Sequence, residues 1–253
     1  MTLEGLHIEP IDRKLFKAAS ARLDSLTKPQ GSLGRLEEFA RRIVAITGSE
    51  IPLPFDRKAL FIFSGDHGVT EEGVSAYPKE VTAQMVLNLL QGGAAINVLA
   101  RHAGADVVVI DIGVDSKLDD HPALIRRKIV SGTRNIRKGP AMTREEALRT
   151  IETGIEVAYR YADSGYSLFG TGDMGIGNTT PSSAIASVMT GTPAAEVTGY
   201  GAGIDDDVLA HKIRVINDAI AVNRPNPSDP VGVLAAIVGA ELGGIAGFIL
   251  GAA

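Results

Sequence analysis

The stretch GTGDMGIGNTTPSSAI, residues 170–185, carries four glycines in its first eight positions. It follows the apolar segment Tyr166–Phe169, which reads as a strand, and runs into Asn178–Thr190, which reads as a helix. Glycines let the backbone take positive φ and approach a ligand closely, and the first amides of a helix point outward with partial positive charge. The amides near Gly177, Asn178 and Thr179, with the hydroxyls of Thr179, Thr180, Ser182 and Ser183, therefore suit a phosphate. The alternative is a turn that only packs a helix tightly on a sheet, because the spacing matches neither the dinucleotide-binding nor the P-loop fingerprint.

The same succession occurs twice more. Ala59–Phe63 reads as a strand ending in Ser64-Gly65-Asp66-His67-Gly68, followed by one helix over Lys79–His102; Asp106–Ile110 is a strand ending in Asp111-Ile112-Gly113. Further helices are expected over Thr143–Tyr161, with Thr143 as N-cap, and over Asp205–Val222. Strand, loop and helix in alternation predict an α/β fold: three layers, a mostly parallel sheet with helices on both faces, and ligands at the carboxyl ends of the strands. Before it, apolar periodicity over Ile11–Leu26 and Leu33–Ile46 predicts two amphipathic helices of a small subdomain, the second restarting at Ser32, and the Pro-punctuated link IPLPF (residues 51–55) follows.

With 253 residues, 45% of them hydrophobic, the chain can bury its own core without a disulfide or structural metal. It has no cysteine, which removes thiol nucleophiles and zinc ribbons and fits a cytoplasmic protein. A net charge of −5 with dispersed Lys and Arg marks no nucleic-acid footprint, so the expected partners are small molecules. The acid-bearing N-terminus is not a signal peptide. The apolar run Val231–Ala253 is long enough to span a bilayer, but Glu241 at its centre and Gly239, Gly243, Gly244 and Gly247 favour two short buried helices.

Other side chains carry weaker signals. Asp66 and His67 at a strand end fit either an acid/base pair or a loop cap with a backbone-satisfied histidine, and no metal is expected because no third ligand lies at a suitable spacing. Ser75, Tyr77, Gln84 and Met85 can line a slot for a flat aromatic ligand. The aspartates of GIDDDVLAHKI, residues 203–213, are better explained as helix cap and dipole partners than as a magnesium-pyrophosphate grip. Lys212, two turns into that helix, can reach an anion held at the 170–185 stretch, or it is an ordinary solvated lysine.

These motifs, taken in order, resemble one family. LDSLTKPQGSLGRLEEFA, SGDHGVTEEGVSAYPKEVTAQM, GGAAINVLARHAGADVVVIDIGV, SGTRNI, AMTREEA, GDMGIGNTT and GAGIDDD with its lysine are similar to the nicotinate-nucleotide:dimethylbenzimidazole phosphoribosyltransferases of cobalamin lower-ligand synthesis. The resemblance implies a cytoplasmic homodimer, with residues 1–50 the N-terminal part of a small helical domain and 51–253 the nucleotide-binding domain. It implies transfer of phosphoribosyl from nicotinate mononucleotide to a benzimidazole-type base, with no cofactor, no metal, no nucleic acid and no membrane. By the same resemblance Gly175, Gly177, Asn178, Thr179 and Lys212 hold the nucleotide, and Ser75, Tyr77, Gln84 and Met85 hold the base. Asp173 stands where the family has a glutamate, and the family's general-base glutamate corresponds to a position beyond Ala253. The resemblance therefore leaves open a truncated or divergent member that binds nucleotide or base without turnover.

Overall fold

The structure, a computed structural model, describes residues 3–48 and 55–253. Residues 51–54 of the Pro-punctuated link lie outside the described residues. Two helices, α1 (Arg13–Asp24) and α2 (Arg35–Thr47), form one unit; the described residues from Arg57 to Ala252, with Leu3–Leu6, form the other. The Asp12 carboxylate caps α1 by accepting from the amides of Lys14 and Leu15. Helix α2 does not restart at Ser32. The Glu37 carboxylate instead takes the Leu33 amide at 3.2 Å and the Lys28 ammonium at 2.7 Å, so residues 29–34 turn and Gly34, at φ 54°, opens the helix.

In the larger unit the order is β1 (Lys58–Gly65), α3 (Val81–Leu90), α4 (Ala95–Ala103), β2 (Ala105–Gly113), β3 (Leu124–Arg126), α5 (Arg144–Asp163), β4 (Leu168–Met174), α6 (Thr179–Thr190), α7 (Ala194–Val197), α8 (Asp206–Asn223), α9 (Pro230–Ile237) and α10 (Ala240–Ala252). The four strands make one parallel sheet in the order β3-β2-β1-β4. Central β1 is apolar on both faces, as a strand covered twice must be: Phe61 and Phe63 belong to the core cluster built with α5, α9 and α10, whereas Ile62 belongs to the one with Val86 and Leu89 of α3. This is the three-layer α/β architecture expected from the sequence.

The expected single helix over Lys79–His102 is two. Gly92, at φ 78°, turns the chain, and the buried Asn97 side chain stitches the break by accepting from the Ala94 amide and donating to the Leu89 carbonyl. The stretch Val81–Ala103 is long and apolar enough to cross a membrane, yet it is broken at this point and its Val86 and Leu89 are buried in the core cluster beside the sheet. Val231–Ala253 forms α9 and α10, 8 and 13 residues long, both in the core. At the start of α5, Thr143 is the N-cap that the sequence predicts, and it and Glu146 cap each other's amides as a capping box. Strand β3 has three residues, too few for a periodicity to register.

Candidate functional site

The glycine-rich stretch divides into two parts with different tasks. Strand β4 extends to Met174, beyond the expected strand end at Phe169, because Gly170 and Gly172 lie beside Leu60 and Ile62 of β1. A Cβ at Gly170 would sit 2.4 Å from the Leu60 side chain. These two glycines serve sheet packing. The turn proper is Gly175–Asn178, and there the two glycines let the backbone lie close against Gly65, His67 and Thr70.

A Cβ at Gly175 would lie 2.2 Å from the Gly65 carbonyl, and Gly177 holds φ at 86° with a Cβ position 2.8 Å from Thr70. The Ile176 amide is spent on Thr82 Oγ1, and those of Asn178 and Thr180 on the carbonyls of Gly175 and Gly177. Among the described residues, the Gly177 and Thr179 amides find no acceptor. Ser182 and Ser183, expected as ligand donors, are instead spent on the carbonyls of Asn178 and Val197. Thr180 Oγ1 is buried without a partner.

The turn faces a hollow of about 180 Å³ lined by Gly175–Thr179, by Tyr200–Ala202 across from them, and by Val74, Ser75 and Lys212. Lys212 is no solvated lysine: it is 1% exposed. Its ammonium donates to Thr179 Oγ1 at 2.7 Å and to the Gly199 carbonyl at 3.1 Å, with no carboxylate among its partners. Burial alone pulls its pKa below the usual lysine value. A desolvated cation without a carboxylate, beside two unspent amides, is an arrangement that can receive an anion.

The structure thus brings Ser75, Gly175, Gly177, Asn178, Thr179 and Lys212 around one hollow. Tyr77 is half exposed, Gln84 exposed, and Met85 packs against the smaller core cluster that contains Ile62 and Val109; these three are outside the lining. Asp173 is exposed at the end of β4 and accepts from the Asn178 side-chain amide. Asp205 caps α8 through the Val208 amide and Asp206 takes the Tyr200 hydroxyl, so the aspartate run is a cap.

The family model described as phosphoribosyltransferase matches residues 8–253. The chain belongs to that family. It is 59% identical over 244 residues to the nicotinate-nucleotide--dimethylbenzimidazole phosphoribosyltransferase of Geobacter sulfurreducens, covering 96% of this chain and 69% of that one. It is 55% identical over 247 residues to the enzyme of the same name from Chloroflexus aggregans, covering 98% and 70%. The crystal structure of CobT from Thermus thermophilus superposes with a TM-score of 0.89 at 46% identity, covering 94% of this chain and 71% of that one.

A second polar cluster of this phosphoribosyltransferase lies behind Gly175. Asp66 does not cap its own loop: one carboxyl oxygen accepts from the Asp115 amide in the loop after β2 at 2.7 Å and the other is buried without a partner. Nor is His67 satisfied by backbone: its Nε2 is buried without a hydrogen bond, 3.4 Å from Glu241 Oε1. Glu241 is a residue that the sequence reading passed over as a site group. Its signal was present, since a lone carboxylate inside a 23-residue apolar run must either be paired or protonated.

Proposed function

We propose that this protein transfers the 5-phosphoribosyl group of nicotinate mononucleotide to 5,6-dimethylbenzimidazole or a related aromatic base, releasing nicotinate and forming α-ribazole 5'-phosphate. The observation that carries the reading is the Lys212 ammonium, buried without a counter-ion at a hollow rimmed by the free Gly177 and Thr179 amides. That arrangement suits the nucleotide phosphate. Family membership and the shared name of its relatives supply the substrates.

In the reaction an azole ring nitrogen attacks C1 of the ribose while the C1–N bond to nicotinate breaks, its electron pair remaining on the pyridine nitrogen. The azole then loses its other ring proton to a base. Asp173, at the end of β4, is assigned to balance positive charge developing on the ribose, and its hydrogen bond from the Asn178 side-chain amide supports that role. Ser75 at the rim, with Tyr77, Gln84 and Met85 on the following segment, is assigned to the aromatic base. A cytoplasmic homodimer is proposed on the same family grounds.

Incubation of the chain with both substrates is expected to release nicotinate. Tight mononucleotide binding without nicotinate release would replace this reading by that of a binding protein. Gly177→Val tests the cradle: a β-branched residue at positive φ, crowded against Thr70, is expected to cost about 2 kcal/mol of mononucleotide affinity, roughly thirtyfold, by isothermal titration. Affinity for the aromatic base should change far less, and equal loss of both would remove the cradle assignment.

A further inference from the structure

Glu241 opens α10 with its side chain fully buried, and neither carboxyl oxygen has a hydrogen-bond partner. No lysine or arginine reaches it; His67 Nε2, at 3.4 Å, is its only ionisable contact among the described residues, and that atom too lacks a partner. Glycines keep the space around the pair: a Cβ at Gly239 would fall 2.2 Å from both carboxyl oxygens, and one at Gly175 would fall 2.8 Å from His67 Nε2. Gly175 also walls the anion hollow, so the pair sits directly behind it.

The first-turn amides of α10 favour a carboxylate, but burial this complete without a cation outweighs them, and a carboxylic acid can donate its O–H to a neutral imidazole and leave both groups uncharged. Burial pushes Glu241 up to about 8 against the pull of its own backbone amide, with the Asp173 charge adding to the rise; burial pulls His67 down to about 4, against the charges of Asp66 and Asp173. The charged groups facing the pair are Asp66 from the loop after β1 and Asp173 from β4. Helix α5 meets α10 there through Thr150 and Gly154, and β2 through Gly113, none of them titratable. Asp111 points to the opposite face of β2 from Ile110 and Ile112 and is held by Lys128.

We propose that Glu241 is a positioning residue, which shares one proton with His67 and so keeps a further negative charge away from Asp173 and the reacting ribose. A second negative charge beside Asp173 would repel the anionic nucleotide. The consequence for catalysis rests on the transfer reading above; the protonation itself does not.

The test therefore begins with the wild-type chain without substrates. Its infrared spectrum at pH 7 should contain the carbonyl stretch of a protonated, unhydrated carboxylic acid that disappears with a midpoint of about 8 and is missing from Glu241→Gln. The Asp173 carboxyl carbon resonance should show a step at that same midpoint, and the step should be absent in Glu241→Gln. In the transfer assay, wild-type kcat/KM should fall about tenfold between pH 7 and pH 9, whereas Glu241→Gln, which cannot ionise, should give a flat ratio. Absence of the acid band at pH 7, or an Asp173 resonance blind to the step, overturns the proposal. Spectra as expected with no turnover in any form would overturn the transfer reading and leave the shared proton standing.

Discussion

Lys212→Met is expected to separate function from stability. Methionine keeps the length and most of the volume of the lysine stem but carries no charge and donates nothing to Thr179 or Gly199. Loss of the buried ammonium should cost about 3 kcal/mol of nicotinate mononucleotide affinity, roughly a hundredfold, because an anion in the hollow would then meet only the two amides. The folded, ligand-free protein should not suffer. A desolvated ammonium with no carboxylate opposes folding, as the downward pull of burial on its pKa records, so replacing it by a thioether should leave the melting temperature unchanged or raise it. Calorimetric titration and thermal unfolding of the same two samples decide the matter. A variant that binds nucleotide normally, or one that loses affinity only because it unfolds, would show that Lys212 is a structural residue.

That result bears on what the sequence discloses. The N-cap at Thr143 and the aspartate cap at Asp205 are legible because each is a local pattern whose partner lies three residues away, and β1 and β2 because an apolar run registers without its partner strand. Lys212 was legible as a candidate but not as a buried one, since its partners come from Thr179 and Gly199, 33 and 13 residues away. The break between α3 and α4 was missed because Gly92-Gly93 alone is tolerable inside a helical pattern, and the deciding bond is made by the Asn97 side chain. The boundary of β4 was misplaced for the converse reason: Gly170 and Gly172 look like a loop until Leu60 and Ile62 are seen to need the space. The Glu241–His67 pair joins residues 174 positions apart, a separation no local pattern can encode.

Gly247→Ala should destabilise the fold by about 3 kcal/mol, although helix propensity alone predicts a gain of about 1 kcal/mol for removing a glycine from a helix interior. The two effects have opposite sign, and the geometry decides between them. Helix α10 lies against α5 at backbone contact, through glycines on both: a Cβ at Gly247 would stand 1.9 Å from the Ile151 carbonyl oxygen, and one at Gly154 would stand 2.0 Å from the carbonyl oxygen of Gly244. Neither obstacle is a flexible side chain, so the helices must part. Parting them loosens Phe248 from its edge contacts with Phe63 and Phe169 and shifts the first turn of α10, which holds Glu241. Gly251→Ala, whose Cβ would meet Ile155 Cα at 2.9 Å, should cost less, and Gly139→Ala, where nothing lies within 4 Å and φ is ordinary, should fall within about 0.5 kcal/mol of wild type. Urea unfolding of the three variants is expected to rank them in that order. A Gly247→Ala protein as stable as Gly139→Ala would mean that α5 and α10 do not approach so closely, and the placement of Glu241 behind the anion hollow would fail with it.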